Sequence, residues 1–140
     1  MSDKDKALQT LHTRLIDSRD GYRQAREQLG DDDLGHFVDR CIAEREGFHQ
    51  TLHEALSAEG VTVDEDGSTA AALHRGVFKL RDAISSGPGG TYAECARGDG
   101  YLKSAYDDAI EATDGAPRWQ FLVEQRAKVD ATIKEAEALA

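Results

Sequence analysis

Apolar residues recur at helical spacing along almost the whole chain, and only Val61-Thr62-Val63 alternates in β fashion, too briefly to make a sheet. Leu8, Leu15, Tyr22 and Leu29 stand seven apart with Leu11, Ser18 and Ala25 interleaved, a heptad stripe over roughly 4–29. A second stripe of Leu34, Val38, Cys41, Phe48, Leu52 and Ala55, flanked by Ile42, His49 and Leu56, predicts a helix over roughly 33–58. Gly30 suits a left-handed cap on the first helix, Asp31-Asp32-Asp33 an N-cap for the second, and Gly60 its end. So few residues join the two that they must form an antiparallel hairpin.

Beyond a polar stretch, Ser68 can open a short helix over roughly 69–84 with Leu73, Val77, Leu80 and Ile84 on one face. Ser85-Ser86-Gly87-Pro88-Gly89-Gly90 reads as a linker, because glycine and proline oppose helical geometry. A helix over roughly 91–113 follows, with Cys95, Leu102, Ala105, Ala109 and Ile110 inward. Asp114-Gly115-Ala116-Pro117 stops it, and a last helix over roughly 117–138 buries Trp119, Leu122, Val129, Ile133 and Ala136. The expectation is one all-α domain over 1–140, a four-helix bundle whose single long crossover carries the short helix.

Charge narrows the partners. With 27 acids against 17 bases the chain carries a formal −10, which opposes approach to nucleic acid or anionic membranes. The longest apolar run, Ala70 to Leu73, is far too short to span a bilayer, and Met1-Ser2-Asp3-Lys4-Asp5-Lys6 lacks a signal-peptide pattern. A cytoplasmic location is expected. Two cysteines without a Cys-x-x-Cys arrangement suggest reduced thiols rather than a disulfide framework or zinc knuckle.

Chemistry in a bundle is built from polar side chains that interrupt the inner stripes. Ser18 interrupts the first, with Asp17 and Asp20 beside it, and Glu46 and His49 form Glu-x-x-His on the second. A carboxylate and an imidazole at that spacing can hold one ion, while the bland alternative makes His49 a core histidine bonded to an acid. Asp99 interrupts the stripe between Cys95 and Leu102, and Arg126 that between Leu122 and Val129. No histidine lies beyond His74, so the last helix cannot supply a second Glu-x-x-His. A guanidinium at Arg126 could instead neutralise Glu46, Asp99 and Asp20, or it could pair at the surface with Glu111 or Asp108. His53 reads as exposed, His74-Arg75 as pinning the crossover, Cys41 and Cys95 as small apolar groups, and Tyr22, Tyr101 and Tyr106 as packing groups.

Asp20-Gly21-Tyr22-Arg23-Gln24-Ala25, Gly67-Ser68 with Leu73-His74-Arg75-Gly76, and Glu94-Cys95-Ala96-Arg97-Gly98-Asp99 with Tyr106 resemble the bacterial ferritin-like four-helix-bundle family of unknown function. The resemblance implies a ferritin-like fold, distantly related to rubrerythrin-type proteins. Ala43 to His49 then matches the first Glu-x-x-His helix and carries Glu46 and His49 over as metal ligands, with Asp20 and Asp99 matching acids.

Two functions compete. The first is a non-catalytic binding or structural bundle, stress-associated in type, whose metal site has degenerated into a network of Arg126, Glu46, His49 and an acid. The second is an iron- or manganese-dependent redox or iron-handling protein with one ion on Asp20, Glu46, His49 and Asp99. A homodimer or higher oligomer pairing through exposed helix faces is compatible with either.

Overall fold

A computed structural model describes residues 2–63 and 80–140, except for the side chains of Arg81 and Asp82. Among these residues the chain is all-α and contains no strand. Four long helices, α1 (Asp3–Arg26), α2 (Asp33–Ala58), α4 (Gly87–Thr113) and α5 (Phe121–Leu139), are accompanied by a short α3 (Leu80–Ala83). One 3-10 turn, Ile84–Ser86, joins α3 to α4, and another, Pro117–Trp119, leads into α5. Most of the expected crossover helix, with Ser68, Leu73, His74, Arg75 and Val77, lies outside the described residues.

Local chemistry explains the helix ends. Ser2 caps α1 by accepting from the Asp5 amide, and Asp32 caps α2 by accepting from the Gly35 amide at 2.9 Å. Gly60, at φ 72°, closes α2 in a left-handed turn, with Gly60 N–H donating to the Ser57 carbonyl and Val61 N–H to that of Leu56. Gly30 does not play that part for α1, contrary to expectation. The helix ends earlier, at Arg26, whose guanidinium donates to the carbonyls of Leu29 and Gly30 and so satisfies the turn in a left-handed cap's place.

The Gly87-Pro88-Gly89-Gly90 segment also departs from the sequence reading, because it is the first turn of α4 rather than a linker. Proline in a first turn forfeits no helical hydrogen bond, since the amide it lacks would have had no partner there. Thr91 Oγ1 donates back to the Gly87 carbonyl at 2.8 Å and fastens the turn. Asp32→Ala should cost about 1 kcal/mol by orphaning the Gly35 amide. A urea midpoint close to that of the parent would show that this cap contributes little.

Helix α1 packs against α2 and α4, and α4 packs against α5. The core falls into two apolar clusters, one toward each end of the helices. Leu8, Leu11 and Leu15 of α1 meet Leu52 and Leu56 of α2, Leu102 and Ala109 of α4, and Leu122 of α5. At the other end Tyr22 and Ala25 meet Phe37, Val38, Cys41, Tyr92, Cys95 and Ala136. The start of α1 thus lies with the ends of α2 and α4, so both run antiparallel to it. Between the clusters lies the stretch in which polar side chains enter the interior.

Candidate functional site

Helix α2 places a cation between the clusters. Arg45 is seven residues from both Val38 and Leu52, and its side chain is 0% exposed. Its Nη2 donates to Asp99 Oδ2 of α4 at 2.7 Å, and Tyr22 of α1 donates its hydroxyl to the same oxygen at 3.0 Å. The other arm of the guanidinium donates to Glu44 at 2.6 Å. Glu44 lines a cleft of about 140 Å³ with Phe37, Arg40, Cys41, Thr132 and Glu135, so the buried pair has a partly solvated outer end. The Arg45 guanidinium also lies 5.8 Å from the Tyr22 ring centroid. Three helices therefore converge on one charge pair.

The electrostatics follow from burial. Desolvation pushes the Asp99 carboxyl above the ordinary aspartate value, while Arg45 and the Tyr22 hydrogen bond pull it back. Desolvation opposes the charge on Arg45, but the surrounding anions, Asp99 foremost, more than offset it and hold the guanidinium above its ordinary value. Arg45 Nε and Asp99 Oδ1 make no hydrogen bond, so the pair is joined by one bond rather than a two-pronged fork. Burial likewise pushes Cys41 up to about 12 and raises Cys95 strongly. Both thiols are buried and free, inert in the sense that little thiolate is present near neutrality.

The four residues expected to hold a metal do not come together. Asp99 is buried and engaged by Arg45 and Tyr22. Glu46 is 41% exposed, with Oε2 bound by Arg23 at 2.8 Å and Arg19 at 3.4 Å, and Asp20 accepts from Arg19 beside it. His49 faces the interior. Three residues turn a helix through about 300°, which leaves Glu46 and His49 roughly 60° apart around the axis, enough to separate surface from core. Among the described residues no three His, Cys, Asp or Glu side chains are arranged to hold an ion. These acids already have cationic partners, so the donor set does not fit a ferritin-type metal centre.

Arg126 is a correction. It pairs with Asp107 on the outer side of α4 and is 34% exposed, remote from any role among the buried acids. The inner position is Gln125, which accepts from the Tyr106 hydroxyl at 2.7 Å. Leu122, Gln125, Val129 and Ala136 keep the three-four alternation of an inner stripe, and Arg126 falls one residue outside it. His53 is half-buried rather than exposed, and its ring lies near those of His49 and His12. Neither Arg45 nor His12 is among the residues expected at the site. Both stand at inner positions of their stripes, Arg45 in the Val38–Leu52 register and His12 four residues from both Leu8 and Ile16.

Fold and site together define an all-α, four-helix protein with an arginine–aspartate pair at its centre. The family model described as Domain of unknown function (DUF2383) matches residues 3–112, and the chain belongs to that family. No curated protein and no solved structure matches it. No helix among the described residues is long and apolar enough to cross a membrane.

Proposed function

We propose that this is a non-catalytic binding or structural protein on a ferritin-like bundle, in which a guanidinium occupies the centre where a metal would otherwise neutralise carboxylates. The observation that carries this reading is the fully buried Arg45 donating to Asp99 at 2.7 Å. A fixed protein cation beside the carboxylate repels an incoming metal ion and already supplies the countercharge that ion would bring. The like direction of α2 and α4 supports the ferritin-like topology, since the end of α2 and the start of α4 lie at opposite ends of the bundle.

The test is iron oxidation. Ferrous iron added anaerobically to untagged protein and then exposed to air should oxidise no faster than in buffer alone, and Glu46→Gln should leave that rate unchanged. Protein-accelerated oxidation abolished by Glu46→Gln or Asp99→Asn would establish the redox reading instead.

A further inference from the structure

The start of α2, the start of α4 and the end of α5 meet around a cleft of about 570 Å³, within the roughly 300–1,000 Å³ of small-molecule sites. Leu34, Pro88 and Leu139 give it an apolar wall, with half of Leu139 exposed. Tyr92 also lines it, its ring packed edge-on against Phe37 at 5.3 Å and only 6% of the residue exposed. Among the described residues the Tyr92 hydroxyl makes no hydrogen bond, whereas Tyr22 and Tyr106 both donate theirs. A buried, fixed ring thus carries an unpartnered polar end in the cleft.

The charged lining is acidic. Asp32, Asp33 and Glu135 stand against a single arginine, Arg40, whose two arms are spent on Glu135 at 2.8 and 3.3 Å. Helix N-termini ordinarily favour anions. Here Asp32 already accepts from the Gly35 amide, and Pro88 takes an amide donor out of the first turn of α4. Asp33 makes no ion pair among the described residues, so the unbalanced charge in the cleft is negative. Burial pushes the Tyr92 hydroxyl above its ordinary value and Asp33 pushes it the same way, which places negative potential on that oxygen.

We infer that this cleft binds a small organic cation, a primary ammonium on an apolar chain or ring, which donates to the Tyr92 hydroxyl and Asp33 and lays its body along Leu34, Pro88 and Leu139. An ammonium has three donors and no acceptor, which suits a hydroxyl oxygen beside a carboxylate. A bare metal ion does not suit this lining, because no three acids or histidines among the described residues are arranged to hold one.

The inference rests on residues apart from the Arg45–Asp99 pair and stands independently of the proposed function. Untagged protein is titrated at constant ionic strength with 2-phenylethylamine, and in parallel with 2-phenylethanol and 3-phenylpropionate, and followed by backbone amide chemical shifts. The amine should saturate one site, with shifts centred on Leu34, Tyr92 and Leu139, and bind about fivefold or more tighter than the alcohol. The carboxylate should not saturate. Tyr92→Phe, which keeps the ring against Phe37, and Asp33→Asn should each weaken the amine about fivefold. Asp108→Asn, in a separate groove between α1 and α4, should leave it unchanged. The inference is overturned by absence of saturable amine binding, by equal binding of the alcohol or the carboxylate, or by binding indifferent to Tyr92→Phe and Asp33→Asn. Equal weakening in Asp108→Asn would overturn it too, by revealing only the general attraction of a −10 chain for cations.

Discussion

Arg45→Met should destabilise the protein by about 3–5 kcal/mol, because it leaves the Asp99 carboxyl buried without its cation. At this chain length that corresponds to a fall in Tm of roughly 10 °C or more. The cost comes mainly from the abandoned partner. Replacing Arg45, Asp99 and Tyr22 together by Met, Leu and Phe removes the charges and the hydroxyl that bonds them, and should recover most of the loss. The pair is joined by a single hydrogen bond with Arg45 Nε and Asp99 Oδ1 unbonded, so its attraction offsets its desolvation incompletely. Urea denaturation of the single and triple variants decides the matter. An Arg45→Met protein as stable as the parent would show that this guanidinium is not buried against a carboxylate.

The second large effect is alkaline unfolding. Cys41 and Cys95 have an ordinary thiol value of 9.0, and burial raises Cys41 to about 12 and Cys95 strongly as well. The folded chain therefore keeps two protons that the unfolded chain releases above pH 9, so stability falls as pH rises. Each such group contributes a slope of about 1.4 kcal/mol per pH unit. Between pH 9 and 10.5 the two thiols should remove about 3 kcal/mol, a large share of an ordinary domain's stability. Tyr22 and Tyr106, also raised by burial, steepen the fall above pH 10. Below the ordinary thiol value the contribution is fully present and flat. Urea midpoints measured from pH 8 to 10.5 should trace this decline, and the Cys41→Ala, Cys95→Ala double variant should start lower but decline less steeply. A parent and double variant with parallel pH profiles would show that the thiols ionise alike in both states.

The raised carboxyl of Asp99 acts in the same sense at the acid end. Its folded form holds a proton to higher pH than the unfolded chain does, so its contribution is present below the ordinary aspartate value and declines as pH rises through the raised one. Burial of an acid is thus a liability that Arg45 partly offsets, and this is the physical reason for placing an arginine in the interior.

Periodicity was sufficient to locate α1, α2, α4 and α5, because apolar spacing near 3.6 residues and the Asp32, Gly60 and Pro117 signals act within one or two turns of chain. Asp99 and Ser18 were legible as buried polar positions for the same reason. Which cation meets Asp99 was not legible. Arg45 lies in the inner register of Val38 and Leu52 while Arg126 falls one residue outside its stripe, and a shift of one residue, about 100° around a helix, decides between core and solvent. Glu46 and Asp20 likewise carry carboxylates at plausible spacing, and only the packing of α1 on α2 delivers them to Arg19 and Arg23 at the surface. The sequence alone determined that the chain would be helical and which residues would be apolar and inward, since these depend on local period. Tertiary structure alone decided that Arg45 meets Asp99 and that His12 meets His49 and His53, since those contacts depend on the rotation and axial offset of neighbouring helices, which no single helix encodes.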